Sequence, residues 1–346
     1  MELIESPQVF AATLDRWRAG GSRVGLVPTM GALHRGHRSL IAAAAADCDA
    51  VAVTVFVNPL QFDDADDLQR YPRTLPEDMS VAAGAGARLV FAPTVLAMYP
   101  DHPAPLPTTV HVAGVGDRLE GVARPGHLDG VATVVAKLLA LAGRCRAYFG
   151  EKDFQQLAVV RQLTRDLSFP AEIVGCPTVR EPDGLALSSR NTRLSPSGRE
   201  AATCLHRALQ AGRAAVAAGE RQVDVVEQAM AAVVAAEPRA RLDYAVAVDP
   251  ASLQRPAAVG RELRLLVAAV VDGVRLIDNL AAPIPGVHRP TQVGPPTQAG
   301  QPTQVGPPTQ AGQPTQVGPP TQAEQPVAAG GVHPTASSTT PRGALI

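Results

Sequence analysis

Four short runs in the first half of the chain are apolar at most positions and end in turn residues: RVGLVPT (23–29), AVAVTVFVN (50–58), ARLVFAP (87–93) and CRAYFG (145–150). Side chains alternate faces along a strand, so a run of this length with few polar breaks marks a strand buried on both faces. Between and after these runs the pattern changes. Over 38–46, 75–85, 130–142 and 154–167 the residues read as helices, rich in Ala and Leu. Buried strands alternating with helices predict an α/β fold, a Rossmann-like doubly wound parallel sheet.

After residue 180 the texture shifts to Ala/Arg/Glu-rich helices, expected over 196–218 and 223–236, then a strand at LDYAVAV (242–248). Two further strands, LRLLVAAVV (263–271) and VRLIDNL (274–280), flank Asp272-Gly273, a two-residue hairpin signal. A smaller α+β C-terminal domain follows. From Pro290 the hexads PTQVGP and PTQAGQ alternate with no apolar face to bury, the mark of a disordered, partly polyproline II tail. The expected division is 1–179, 180–286 and 287–346.

Composition narrows this picture. Aromatics are 3 % of 346 residues, so the core is aliphatic. A net charge of −1 offers no basic field for nucleic acid. Cys48, Cys145, Cys176 and Cys204 form no C-x-x-C pair, which suits reduced thiols in a cytoplasmic protein. No run approaches the length of a membrane span, and no N-terminal apolar stretch leads to a cleavage signal.

Chemistry concentrates where strands give way to helices. PTMGALHRGH (28–37) sets His34 and His37 around Gly36 at the end of the first buried run, with a helix expected to start near His37. Glycines there admit a close ligand, and a helix N-terminus favours an anion, so two imidazoles could donate to a triphosphate. The same spacing suits histidines that merely cap a helix. A zinc pair lacks a third ligand nearby. FGEKDFQQL (149–157) offers Lys152 as a mobile positive charge, although taken alone it also reads as a solvated helix start. LALSSRN (185–191) can close over phosphates or be a plain polar loop. In VFVNPLQF (55–62), Asn58 and Gln61 end a buried strand, where a small polar substrate could sit; Glu120, Arg124 and His127 in LEGVARPGHLDGV (119–131) suit supporting roles, and either stretch could be turn chemistry.

Six segments in order, PTMGALHRGH, VFVNPLQF, YPRT, RPGH, FGEKDFQQL and VREPDGLALSSRN, closely resemble the pantoate–β-alanine ligase family, and the likeness extends through LDY and RLIDN near residue 279. The resemblance implies a nucleotidyltransferase-type fold. It implies ATP against Met30, Gly31, Ala32, Leu33, His34, Arg35, Gly36 and His37, against Gly150, Glu151, Lys152 and Asp153, and against Val179, Leu187, Ser188, Ser189 and Arg190. His37 matches the family's assigned catalytic histidine; His34, Lys152, Ser188, Ser189 and Arg190 hold phosphates bridged by Mg²⁺, whose protein ligands stay unassigned. Gln61 and Gln156 match residues that grip pantoate, with Gln61 also facing β-alanine. The implied reaction forms pantoyl adenylate and pyrophosphate, then pantothenate and AMP, in a homodimer. Three departures stand out: Leu187 replaces the usual Met, Asp129 adds negative charge near the phosphate region, and the repeat tail has no counterpart. Competing readings are a nucleotidyltransferase that does not ligate, and an inactive fold used as a binding module.

Overall fold

The computed structural model of the chain describes residues 1–63, 65–260 and 262–284. Six parallel strands form one sheet in the order β1-β4-β3-β2-β5-β6: β1 is Glu2–Ile4, β2 Val24–Thr29, β3 Ala50–Val55, β4 Leu89–Phe91, β5 Cys145–Gly150 and β6 Ala171–Cys176. Strand alternation sorts the core onto two faces. Leu26, Ala52, Leu89, Phe91, Ala147 and Phe149 face helices Pro7–Ala19, His127–Ala142 and Phe154–Asp166, while Val27, Val51, Val53, Val90 and Tyr148 face helices Arg35–Asp47 and Leu75–Gly84. The sheet is doubly wound, as the sequence predicts.

Two edge strands were not legible. β1 is three residues long and β6 is only half-buried, so neither shows a buried apolar run. The expected helix over 196–218 is two helices, Pro196–Ala201 and Cys204–Ala217. Thr203 divides them: its N–H and its hydroxyl both donate to the Glu200 carbonyl, at 3.2 and 2.7 Å, which tightens the turn.

A second, antiparallel sheet has the order β7-β8-β9, with β7 Ala240–Val248, β8 Leu263–Val271 and β9 Val274–Ala282. One face, carrying Leu263, Leu265, Val267, Ala269, Leu276 and Ala282, packs on helices Cys204–Ala217 and Val223–Ala235. The other face turns to the parallel-sheet body. There Tyr244, Val246, Val248 and Leu266 pack with Phe154. Arg275 pairs with Glu120 through its two terminal guanidinium nitrogens at 2.6 and 2.9 Å, and Tyr244 donates to the same carboxylate at 2.8 Å. All four cysteines are free and buried. No helix among the described residues is long and apolar enough to cross a membrane. The repeat tail expected over 287–346 lies outside the described residues.

Candidate active site

The strand order reverses between β2 and β5, and the carboxyl ends of these strands open the crevice where doubly wound sheets bind ligands. From Thr29 the chain reaches helix Arg35–Asp47 through a loop in which Gly31 and Ala32 take φ of +88° and +51°. Gly31 is required, because a Cβ there would sit 2.9 Å from Asp78 Oδ2. Asp78 is buried and accepts hydrogen bonds from the N–H groups of Ala32 at 3.1 Å and Leu33 at 2.7 Å. It holds the loop in place.

His34 is the N-cap of this helix and His37 its third residue. His34 Nδ1 accepts from the Gly36 N–H at 3.1 Å, and His37 Nδ1 accepts from the His34 N–H at 3.3 Å, a capping box made of two imidazoles. A Cβ on Gly36 would lie 2.9 Å from His34 Cε1, so only glycine leaves room for the ring. With both Nδ1 atoms accepting, each neutral ring carries its proton on Nε2 and can donate outward. Burial lowers both pKa values. His37 falls to about 3, with His34 adding to the effect, and at His34 the neighbouring Lys152 adds to burial.

The helix therefore starts at Arg35 rather than near His37, and the amides expected to face a ligand are largely occupied within the protein. Asp78 takes those of Ala32 and Leu33, and His34 takes that of Gly36. The imidazoles, not the backbone, are what this turn presents. Capping and ligand donation, alternatives in the sequence, are compatible because they use opposite ring nitrogens.

β5 delivers the second group. The 3-10 turn Glu151–Asp153 carries Lys152, whose Nζ lies 3.4 Å from Asp153 Oδ1. Burial opposes ionisation of Asp153, but Lys152 and Arg190 outweigh it and hold the carboxyl below the usual carboxylate range. The third group is the loop leading to the 3-10 helix Ser189–Arg193. Leu187 N–H donates to Val179 O at 3.0 Å, Ser188 Oγ accepts from Arg190 N–H at 3.2 Å, and Asp67 pairs with Arg190 at 3.5 Å and Arg193 at 2.6 Å.

Two cavities, of about 220 and 350 Å³, share Met30, Gln61, Lys152, Asp153, Gln156, Ser188 and Arg190 in their walls. The smaller is completed by His34, His37, Gly150, Val179, Leu187 and Ser189, and by an apolar wall of Phe56, Val131, Val134, Val135 and Leu138. Gln61 is rigidly held. Its Oε1 accepts from Asn58 Nδ2 at 3.0 Å, its Nε2 donates to Met30 Sδ at 2.9 Å, and its carbonyl accepts from His127 Nδ1 at 2.7 Å and Arg124 Nη2 at 3.4 Å. Asn58 is fully buried and also binds Gly130 O and the Tyr99 hydroxyl, at 3.1 and 2.9 Å.

Not every residue matched to ATP faces these cavities. Arg35 pairs with Glu181, and Glu151 pairs with Arg264 at 3.1 Å. Gly31, Ala32 and Leu33 shape the loop through their backbone. Asp129, expected near the phosphates, instead meets His111 Nδ1 at 2.9 Å on an exposed flank and lines neither cavity. Asp78, Arg264 and Asn279 carry much of the site's support and were not singled out as site residues in the sequence.

The chain matches the family model for pantoate-beta-alanine ligase over residues 2–281. It is 51 % identical over 286 residues to the pantothenate synthetase of Rubrobacter xylanophilus, spanning 81 % of this chain and 98 % of that protein. The chain belongs to the pantoate–β-alanine ligase family. The pantothenate synthetase of Deinococcus radiodurans is 52 % identical over 276 residues, 77 % of this chain and 97 % of that one. Among solved structures, the pantothenate synthetase of Thermus thermophilus superposes with a TM-score of 0.76 at 47 % identity, over 81 % of this chain and 99 % of its own. A ligase of the family from Francisella tularensis, complexed with beta-gamma ATP and beta-alanine, gives 0.67 at 32 % identity, over 81 % and 97 %. The protein is a pantoate–β-alanine ligase, an enzyme that forms a carbon–nitrogen bond.

Proposed function

We propose that the two joined cavities run adenylation and ligation in turn, with the nucleotide laid along His34, His37, Gly150, Lys152, Val179 and the Leu187–Arg190 loop. The shared wall of Gln61, Lys152, Gln156 and Arg190 is the observation that carries this reading, because it brings substrate amides and phosphate cations to one junction. Gln61 and Gln156 orient pantoate against the apolar wall. Its carboxylate oxygen attacks the α-phosphorus, and the bond to the β-phosphate oxygen breaks to release pyrophosphate.

The charge that grows on the leaving group meets the Nε2–H donors of His34 and His37, the Lys152 ammonium and the Arg190 guanidinium, with the Ser188 and Ser189 hydroxyls beside them. The β-alanine amine then attacks the acyl carbon of the adenylate. The carbon–oxygen bond to AMP breaks, and the amine proton leaves with AMP or solvent.

Magnesium takes most of its oxygen ligands from phosphates and water, with one or two carboxylates. Asp153, held ionised and lining both cavities, fits that donor set, and Mg²⁺ bound there with ATP would neutralise phosphate charge. Residues 1–179 form the nucleotide and pantoate domain, and 180–286 a domain that closes over it. The family resemblance supports a cytoplasmic homodimer. The test is incubation with ATP, Mg²⁺, pantoate and β-alanine: AMP and pantothenate should form together. Pantoate-dependent exchange of labelled pyrophosphate into ATP should occur without β-alanine, and a strict requirement for β-alanine would overturn the two-step order.

A further inference from the structure

We infer that Asn279 is a positioning residue for adenylation that acts through Lys152; this rests on the reading that Lys152 binds the phosphates. Asn279 stands on β9, 127 residues from Lys152 in the chain, and is 2 % exposed. Its Nδ2 donates to two consecutive carbonyls of the lysine turn, Glu151 O at 2.9 Å and Lys152 O at 2.7 Å. Both amide hydrogens are thereby used.

The carboxamide is oriented in turn by Arg264, which is also buried. Arg264 Nε donates to Asn279 Oδ1 at 2.7 Å, Nη2 donates there as well and reaches Glu151 Oε2 at 3.1 Å, and the guanidinium lies 4.1 Å over the Phe154 ring. The lysine turn is only three residues long and has no side-chain cap of its own. A long side chain reaches a reacting phosphate reliably only when its backbone origin is fixed, and here the antiparallel sheet fixes it. The residue type is specific. Aspartate would present two oxygens to two carbonyls, and glutamine is one methylene too long. Asp278, the preceding residue, points to the opposite face and grips Arg180 bidentately at 2.6 and 2.9 Å, so the support of the lysine turn falls to Asn279 alone of this pair.

Asn279→Asp keeps the size of the side chain and its contact with Arg264 while removing both donors. Pantoate-dependent pyrophosphate exchange should fall about 100-fold through kcat, the scale of a reacting group displaced by about 1 Å. KM for pantoate should change by no more than about twofold. On a Lys152→Ala background the same substitution should add less than about twofold, because the side chain it positions is gone. Equal losses on both backgrounds, or normal exchange by Asn279→Asp, would overturn the inference. Normal exchange by Lys152→Ala alone would instead overturn the phosphate role of Lys152. Should Asn279→Asp fail to fold, Arg264→Lys carries the same comparison: it keeps a charge near Glu151, gives up the bond to Oδ1, and should show a smaller loss that again vanishes without Lys152.

Discussion

The turn that carries His34 and His37 and the turn that carries Lys152 face the same cavity, but they are held in opposite ways. The histidine turn is supported within the parallel-sheet body, by its own capping box and by Asp78. The lysine turn is gripped from behind by Arg264 and Asn279 of the antiparallel sheet. One site thus combines a self-supporting half with a half whose geometry depends on how two sheets dock. Loosening that docking should disturb the lysine and leave the imidazoles in place.

The largest effect that tests this contrast is on rate. His37→Ala and Lys152→Ala each remove one of the donors proposed to meet the phosphates, and each should slow pantoate-dependent pyrophosphate exchange about 100-fold or more. Their stabilities should part. His37 closes a capping box, so its loss should cost about 1 kcal/mol in thermal melts, whereas Lys152 caps nothing and its alanine variant should melt like the parent. Equal melting losses would erase the distinction between the two turns.

A smaller effect concerns substrate selectivity at the junction. Gln61→Ala should weaken pantoate binding by about 1–3 kcal/mol while KM for ATP holds, because the lost amide leaves pantoate's polar groups unpaired. Comparable weakening for both substrates would move Gln61 out of the pantoate pocket.

Smaller again is a pH effect peculiar to the histidine turn. Burial holds both folded rings below the value near 6.5 that they take when unfolded, and His37 falls furthest, to about 3. Between pH 6.5 and the folded value of about 3 for His37, the unfolded chain binds protons that the folded chain refuses. The stability contributed by the neutral rings is therefore complete above pH 6.5 and declines as pH falls. His37→Ala should flatten the fall in melting temperature between pH 7 and 5, and Lys152→Ala should not. Parallel slopes in the two variants would count against a neutral, buried His37. The smallest effect is none at all: stopping the chain after Pro285 should leave melting and pantothenate formation unchanged, since 290–346 brings few large apolar side chains.

The same contrast explains what could be read from the sequence. β2, β3 and β5 are buried on both faces and betray themselves as apolar runs, and the Asp272-Gly273 hairpin is written in two residues. His34, His37, Lys152 and the Ser188–Arg190 loop lie in compact motifs. Asp78 was missed because, in PEDMS, it reads as an ordinary acidic residue of a helix's first turn. Arg264 and Asn279 fitted the strand pattern, but their partners lie 113 to 128 residues away, and no local spacing reports such a contact. Motifs revealed the groups that line the cavities, while the groups that hold them emerged only from tertiary structure.

The β8–β9 hairpin adds a requirement of alignment. Asn279 stands opposite Leu266, and Arg264 is its diagonal neighbour on the same face, while Asp278 occupies the other face. Which side chain meets the lysine turn is thus a matter of odd or even position along β9, and the count begins at the two-residue turn, where Asp272 and Gly273 take φ of +48° and +79°. A slip of one residue would swing Asn279 toward the helices and bring Asp278 round in its place, trading an amide donor for a carboxylate beside two carbonyl oxygens. The tip of the hairpin, whose Gly273 also lines the larger cavity, serves as the ruler from which the distance to the Lys152 turn is measured.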